Sequence, residues 1–393
     1  MSALSEERQM IQRTAREFAR KDVLPIANRL DPVAGEIPME LRQKMADLGY
    51  FGMLIPQEHG GLGLGLFEYV LVTEELARAW MSVASIIARG NGLMGGGYTE
   101  EQRRRYLPRV ARGEFLGCFA LSEPEAGSDA ANVQCRARRD GDGWLITGSK
   151  MWSTFADGAD YILLVARVGD MDPARKHAGI RQFFIEKERG KLPPGVDGRP
   201  LPTIGYHGWR TFELHFDNLR LPASALLGEE SQDGGGALGG RGSGFGGVLR
   251  ALEIARVHTA ARSIGLARGA LEDSIRYAEE RVQFGQPIAR FQAIRFKIAG
   301  MATEIEAARA LLYQVAAAID AGEHMDKESS MVKLFASEMS ERVTSEAIQI
   351  HGGYGYTTDF AVERYWRDAR LTKIFEGTSE IQLRIISDRL LGK

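Results

Sequence analysis

The sequence predicts an α+β multidomain protein in which a helical unit, a β unit and a second helical unit follow one another. Three observations support this fold class. The 393 residues are enough for two or three structural units. Apolar residues recur at helical spacing before about residue 117 and after about residue 247. Between them, short alternating runs separated by Gly, Asp and Pro are typical of strands.

Residues 1–116 are predicted to form an N-terminal helical domain. Thr99-Glu100-Glu101-Gln102 is a capping box, in which the two end side chains satisfy backbone N–H groups at a helix start. An apolar run from Tyr69 to Ala77 predicts another helix. The glycines of Gln57–Gly63 predict a turn between helices.

Residues 117–228 are predicted to form a small antiparallel β domain. Asp140-Gly141-Asp142-Gly143 separates two strand-like runs and is a strong hairpin signal, because Gly and Asp tolerate positive φ. Further strands are expected over Tyr161–Val168, Gln182–Glu186 and Phe212–Phe216. Prolines punctuate the connections, and the domain is expected to end near Leu227.

The third part of the chain combines a loop with a helical bundle. Residues 229–246 are rich in glycine and small polar residues, which suits a flexible loop, and they lack the strand and spacing of a dinucleotide fingerprint. Residues 247–393 are predicted to form a C-terminal helical domain. Its expected helices are 247–282, 290–321, 326–350, 360–371 and 379–391.

Composition argues against several classes of protein. The formal net charge is −2, without the basic excess of a nucleic-acid binder. Two cysteines imply no disulfide framework, and the seven histidines lack metal-ligand spacing. The N-terminus does not read as a signal peptide, and no apolar run approaches the roughly 18 residues of a membrane span. A cytoplasmic or matrix-like location is therefore expected.

Five motifs are spread over nearly the whole chain. They are Phe119-Ala120-Leu121-Ser122-Glu123-Pro124-Glu125-Ala126-Gly127-Ser128-Asp129, Trp152-Ser153-Thr154, Arg281-Val282-Gln283-Phe284-Gly285, Gln349-Ile350-His351-Gly352-Gly353 and Phe375-Glu376-Gly377-Thr378-Ser379-Glu380. In content, order and spacing they resemble the motifs of the acyl-CoA dehydrogenase family, and the resemblance is closest to the short-chain and general acyl-CoA dehydrogenases. It implies an N-terminal helical domain, a middle antiparallel β-barrel, a C-terminal four-helix bundle and FAD as cofactor.

The resemblance also implies which residues bind the flavin. Trp152 is expected beside the isoalloxazine ring, with the Thr154 hydroxyl directed toward N5; in isolation, the pair could equally be a core tryptophan and a strand threonine. Arg281 is expected to bind the FAD diphosphate from a neighbouring subunit, since a guanidinium makes paired charge-assisted hydrogen bonds. Alternatively, it is a surface cation at a helix end. The implied set is Phe119, Leu121, Ser122, Gly127, Ser128, Trp152, Thr154, Arg281, Phe284, Gln292, Gln349, Gly352, Gly353, Thr378 and Glu380.

Glu376 is the catalytic base that the resemblance implies. A glutamate in a water-poor pocket can act as a base near neutral pH. Some family members carry the base beside the position of Arg256, but here that neighbour is Ala255, which favours Glu376. Substrate contacts are implied for Ser128, Glu253, Arg256 and Gly377. The alternative for Arg256 is a buried ion pair with Glu253 or Asp368.

The implied reaction is α,β-dehydrogenation of an acyl-CoA, with electrons passed to an electron-transfer flavoprotein by a homo-oligomer, expected to be a dimer of dimers. An acyl-CoA oxidase on the same scaffold is the main alternative. A flavin monooxygenase would not need Glu376, and a nucleic-acid-binding relative would be expected to carry a basic C-terminal surface. The acyl group is left open. The glycines of 90–97 either widen its cavity or shorten a helix, and the role of 231–244 is not assigned.

Overall fold

The computed structural model of the chain describes residues 4–91, 98–228 and 245–392. Most of the glycine-rich segment 90–97 and nearly all of the predicted loop 229–246 lie outside these ranges. Gly90 is described, and a Cβ there would lie 2.2 Å from the Phe51 carbonyl oxygen. Glycine is therefore required at position 90, because the backbone packs closely against that of Phe51.

The N-terminal part is helical, as predicted. Helix α4 lies at its centre, and all of its residues except Glu68 are buried. The capping box at α7 is confirmed, because the Thr99 hydroxyl accepts the Gln102 N–H and the Gln102 side chain accepts the Thr99 N–H. The helices are α1 (Glu6–Phe18), α2 (Leu24–Leu30), α3 (Met39–Asp47), α4 (Leu66–Ala79), α5 (Met81–Ile86), α6 (Ala88–Asn91) and α7 (Glu100–Ala111).

The middle part is a seven-stranded sheet with the order β1-β4-β2-β3-β7-β6, in which β5 pairs with β4. The predicted hairpin is confirmed, since Asp140 pairs with Gly143 across a two-residue turn in which Gly141 has a φ of 61°. The strands are β1 (Gly117–Ala120), β2 (Arg136–Asp140), β3 (Gly143–Thr154), β4 (Tyr161–Val168), β5 (Ile180–Glu186), β6 (Val196–Leu201) and β7 (Thr211–Leu221).

The prediction of a purely antiparallel domain needs one correction. Strand β4 runs parallel to both β1 and β2, while the other pairings in the sheet are antiparallel. A parallel pair needs a long crossover, and the 40 residues between β1 and β4 include the β2–β3 hairpin. Sequence periodicity specifies strands but not their partners, so this feature was not predictable from the local pattern.

The C-terminal part is a helical bundle whose helices were predicted to within two residues at each end. They are α8 (Phe245–Glu280), α9 (Gln292–Asp320), α10 (Asp326–His351), α11 (Val362–Thr372) and α12 (Ser379–Leu391), and a short two-stranded ribbon follows α8. No helix in the described ranges is both long and apolar enough to cross a membrane.

Buried ion pairs attach the N-terminal helices to this bundle. Glu74 and Glu75 on α4 are almost fully buried and accept hydrogen bonds from Arg268 of α8. The Asp320 carboxylate at the end of α9 accepts the Leu66 and Phe67 N–H groups at 2.6 and 2.9 Å. Because these donors are otherwise unpaired at a helix start, the carboxylate fixes α4 against the bundle.

Candidate active site

The predicted base lies in a strained turn between α11 and α12. Glu376 has a φ of 56° and Gly377 a φ of 93°, both in the left-handed region. A Cβ at Gly377 would lie 2.5 Å from the Gln382 amide nitrogen, so this position requires glycine. The Gly377 carbonyl accepts hydrogen bonds from Gln382 at 2.9 Å and from Lys333 at 2.6 Å. A positive φ at a non-glycine residue persists only where its surroundings hold it, and such strain concentrates at functional sites.

The Glu376 carboxylate points toward α8 and is paired with a buried cation. One carboxylate oxygen accepts hydrogen bonds from the Thr259 hydroxyl and from Arg262, whose Nη2 lies 2.7 Å away. The Arg262 side chain is 2% exposed, whereas that of Glu376 is 26% exposed. The Glu376 carboxylate is therefore partly accessible to solvent and is held by Arg262 and Thr259.

Arg256 does not make either of the ion pairs considered from the sequence. Its Nη1 lies 2.9 Å from Asp326 and 3.4 Å from the Ser330 hydroxyl, both on α10. Glu253 instead lies 4.0 Å from His324. Asp368 accepts the Tyr206 N–H. The partner on α10 was missed because it is 70 residues away in the sequence.

Aromatic rings and further cations lie near Glu376. The ring of Tyr206 packs edge-on against Trp209 and Phe375, at centroid distances of 5.1 and 5.9 Å. The Arg262 guanidinium lies 4.6 Å from the centre of the Phe375 ring. Arg89, on α6, lies 5.1 Å from the Trp209 ring. The surroundings of Glu376 thus combine aromatic rings with the two guanidinium groups of Arg262 and Arg89.

The motif loop that starts at Phe119 is fixed by a buried ion pair. Lys150 is fully buried, and its ammonium lies 2.6 Å from the Glu123 carboxylate and 2.9 Å from the Leu121 carbonyl. Burial lowers the pKa of Lys150. Glu123 also accepts the N–H groups of Gln134 and Cys135. The loop that carries Ser122, Gly127 and Ser128 therefore has a rigid base.

Trp152 is displayed by an irregularity in β3. The register of β3 against β7 shifts between Lys150 and Ser153, and Trp152 has a φ of 59°. Its side chain is 60% exposed, Ser153 is buried and Thr154 is half-buried, in contact with the Thr211 hydroxyl at 3.0 Å. The sequence predicted the strand but not the bulge that turns this aromatic ring outward.

A second group of predicted residues lies at the C-terminal end of α8. A pocket of about 630 Å³ brings Arg281 and Phe284 together with Gly352 and Gly353. Phe284 is 94% exposed. Gln292 and Gln349 are also exposed, at the start of α9 and near the end of α10. His351 is buried, stacks on Tyr277 and directs Nδ1 to the Ala347 carbonyl, so it has a packing role.

The residues around Glu376 and the residues around Arg281 are far apart within one chain. Arg256 and Glu280 are on the same continuous helix α8, and 24 residues of α-helix span about 36 Å. The structure therefore brings Glu376 together with Thr259 and Arg262, and Arg281 together with the glycines after α10. It does not bring the two groups together in one subunit.

The residues present fit a flavin cofactor. Gly127, Gly352 and Gly353 have no other atom within 4 Å of where a Cβ would be, so their backbones face open space into which a ligand can fit. The exposed rings of Trp152 and Phe284 supply stacking surfaces. In the described ranges, no group of three His, Cys, Asp or Glu side chains is arranged to hold a metal ion.

Sequence reasoning missed several residues of this site. Thr259 and Arg262 contact the base, and Lys333 holds its loop. One signal was present: Arg256, Thr259 and Arg262 recur every three residues, which places polar groups along one face of an otherwise apolar helix. Neither Glu376 nor Lys333 could be assigned to that face without the fold.

Family models match three consecutive parts of the chain. The N-terminal, middle and C-terminal domain models of acyl-CoA dehydrogenases match residues 5–114, 118–219 and 242–391. An acyl-CoA dehydrogenase of Bacillus subtilis is 39% identical, over 99% of both chains. A 3-(aryl)acrylate reductase of Clostridium sporogenes is 38% identical, over 98% of this chain and 99% of the relative.

Solved structures agree with this match. A chain in a structure described as the electron transferring flavoprotein of Acidaminococcus fermentans superposes with a TM-score of 0.90 at 35% identity, over 100% of both chains. A glutaryl-CoA dehydrogenase from Mycobacterium smegmatis in complex with FADH2 has a TM-score of 0.89 at 29% identity, covering 99% of this chain and 96% of that one. The chain therefore belongs to the acyl-CoA dehydrogenase family, and it is an FAD-dependent oxidoreductase that acts on acyl-CoA.

Proposed function

We propose that this protein removes the α-proton and the β-hydride of an acyl-CoA to give the trans-2-enoyl-CoA, and that Glu376 takes the proton. The observation that carries the proposal is the strained turn that presents this carboxylate beside α8, partly accessible to solvent. FAD, when bound, accepts the hydride from Cβ. A carboxylate held in place needs no reorientation before it takes the α-proton, which lowers the barrier.

Other chain residues are proposed to position the thioester. Ser128 and Gly377 are proposed to contact the acyl-CoA, as are Arg256 and Glu253, which lie on the same stretch of α8 as Thr259. The Arg256 Nε is buried and has no hydrogen-bond partner in the described ranges. A buried N–H without a partner is costly, so it is available to a substrate oxygen.

We propose that each flavin is bound by two subunits. Trp152 and Thr154 would hold the isoalloxazine ring, together with Phe119, Leu121 and Ser122 in the adjoining loop. Arg281, Phe284, Gln292, Gln349, Gly352 and Gly353 would hold the diphosphate and adenosine of the partner's flavin. Thr378 and Glu380, at the start of α12, complete the proposed flavin contacts. The distance of about 36 Å along α8 from Arg256 to Glu280 supports this division. A homo-oligomer, proposed to be a dimer of dimers, would supply the second half.

The electron partner is proposed to be an electron-transfer flavoprotein. A relative from Acetobacterium woodii, 38% identical, is named as a subunit of a caffeyl-CoA reductase–Etf complex. A rapid reaction of the reduced flavin with O₂ would instead favour the oxidase. Anaerobic reduction by substrate, followed by mixing with air or with the flavoprotein, separates the two by the reoxidation rate.

Reduction of an enoyl-CoA is the second candidate. Relatives at 38–39% identity are named 3-(aryl)acrylate reductase and acryloyl-CoA reductase (NADH). The same site serves both directions, because the group that takes the α-proton in one direction returns it in the other. The direction depends on which reactants are in excess in the cell. Rates of acyl-CoA oxidation and of enoyl-CoA reduction, both measured with the electron-transfer flavoprotein, would distinguish the two candidates.

The test of the proposed function is Glu376→Gln in the flavin-loaded enzyme. We expect acyl-CoA binding to persist and anaerobic bleaching of the flavin to slow by about 10²- to 10⁴-fold, the usual contribution of a general base. Glu279→Gln, an exposed glutamate on α8, is the matched control and should bleach at the wild-type rate. Bleaching of Glu376→Gln at that same rate would place the base elsewhere, and Glu253→Gln would be tested next.

A further inference from the structure

Two arginines, Arg262 and Arg89, lie near Glu376 and the Tyr206 ring. Arg262 is 2% exposed and contacts the Glu376 carboxylate, the Thr259 hydroxyl and the Ser85 hydroxyl. Its Nε is buried and without a hydrogen-bond partner in the described ranges. A buried guanidinium requires an anion, and Glu376 is the carboxylate with which Arg262 forms an ion pair.

A second guanidinium lies nearby without a counter-ion. Arg89 makes no ion pair with any described residue, and its Nε is buried without a partner. Arg89 lies 5.1 Å from the Trp209 ring, and Arg262 lies 4.6 Å from the Phe375 ring. Both rings pack edge-on against Tyr206, so the two cations lie on either side of this tyrosine's aromatic neighbours. Burial, with the same two arginines, lowers the pKa of His258 well below its ordinary value, so this histidine is neutral.

The pairing conflicts with the role of Glu376 as a base. The oxygen that accepts from Arg262 also accepts from Thr259. When Glu376 takes a proton it becomes neutral, and Arg262 is left buried without an anion. Removing one partner of a buried ion pair is strongly unfavourable, so proton transfer from a neutral acyl chain would be opposed.

We infer that the substrate's acyl group itself carries a carboxylate, which binds Arg262 and frees Glu376 to act as the base. This inference rests on the proposed function. The Arg262 Nη2 lies 2.7 Å from the Glu376 carboxylate, and that carboxylate must reach the substrate's Cα. The substrate's own carboxylate should therefore lie a few bonds from Cα, in the range of succinyl to glutaryl thioesters. The Tyr206 hydroxyl supplies a further donor, and Arg89 balances the added negative charge.

Binding without turnover tests the inference. The background is flavin-loaded Glu376→Gln, and calorimetry measures the Kd of glutaryl-CoA and of pentanoyl-CoA, which have the same number of acyl carbons. We expect glutaryl-CoA to bind at least about 30-fold more tightly, the scale of a charge-assisted bidentate contact. Adding Arg262→Met should reduce that ratio to about 1, and Arg262→Lys should retain part of it, because lysine keeps the charge without the planar fork.

Reduction of the wild-type flavin gives an independent measurement. Glutaryl-CoA should bleach it with a higher rate-to-Kd ratio than pentanoyl-CoA, even if the Arg262→Met variant fails to fold. Equal or tighter binding of pentanoyl-CoA would contradict the inference and make Arg262 a structural counter-ion of Glu376. Failure of every acyl-CoA to bleach the wild type would instead contradict the proposed function, so the two failures are distinguishable.

Discussion

The conformation of single residues decides whether the base can be presented. Glu376 and Gly377 form consecutive left-handed positions, a combination that L side chains adopt only under constraint. The sequence motif predicted the glutamate. It could not predict the Arg262 contact, because that contact joins residues 114 positions apart.

The first prediction concerns Gly377→Ala. A φ of 93° and a Cβ 2.5 Å from the Gln382 amide force the turn to move, and the Glu376 carboxylate moves with it. A displacement of about 1 Å costs about 10²-fold in rate, which stopped-flow bleaching would detect. Gly141→Ala, with a φ of 61° in the β2–β3 hairpin, is the control. It should lose stability but keep the bleaching rate, and equal rates for both variants would contradict the positional argument.

The second prediction concerns pH and Lys333. Burial lowers the pKa of Lys333 to about 8, with Glu376 acting in the opposite direction. The unfolded chain, with an ordinary pKa of 10.5, then binds more protons between those values, so this group makes stability rise with pH there. The expected gain from pH 7.5 to 9.5 is about 2 kcal/mol.

Thermal scans of wild type and Lys333→Met across that range measure the effect. The Tm of the wild type should rise relative to that of the variant as the pH increases, although the variant also loses the hydrogen bond to the Gly377 carbonyl. Parallel Tm curves would show that Lys333 keeps its ordinary pKa.

At the scale of elements, features that depend on the local sequence were predicted, whereas features that depend on distant partners were not. Helices α8 to α12 follow apolar periodicity and were located within two residues, and the hairpin at Asp140–Gly143 followed from its turn residues. The parallel pairings of β4, the bulge at Trp152 and strand β6 were not predicted, because they depend on partners outside the local pattern. The domain limits at 117, 229 and 247 stay predictions, which limited proteolysis can test.

The third prediction concerns the Lys150–Glu123 pair that connects β3 to the motif loop. Glu123→Gln leaves a fully buried ammonium without its anion, and breaking a buried pair from one side costs about 3–5 kcal/mol. We expect a lower Tm and weaker retention of FAD, measured by the flavin-to-protein absorbance ratio. The double variant Glu123→Gln/Lys150→Met should recover part of the loss. Asp129→Asn, which breaks an exposed pair with Lys176, should change neither property.

At the scale of the whole molecule, the length of α8 separates chemistry from cofactor anchoring. Glu376 contacts Thr259 and Arg262 near the middle of the helix, and Arg281 follows its C-terminal end. The 18 residues from Arg262 to Glu280 span about 27 Å. Two copies related by a two-fold axis would pair the ends reciprocally, so that each flavin contacts Glu376 of one subunit and Arg281 of the other. The exposed Phe284 and the open backbones of Gly352 and Gly353 would then be covered in the assembly.

The fourth prediction is that two inactive variants complement each other. Arg281→Glu should abolish flavin anchoring in the partner's site, and Glu376→Gln should abolish proton removal in its own. In a mixed dimer, one site combines the intact Glu376 of the first variant with the intact Arg281 of the second. Random pairing makes about half of the dimers mixed, and one of the two sites in each mixed dimer works. Co-expressed variants should therefore recover about a quarter of the wild-type bleaching amplitude. If both residues served the same flavin within one subunit, no mixture would recover any activity, because every subunit carries one defect.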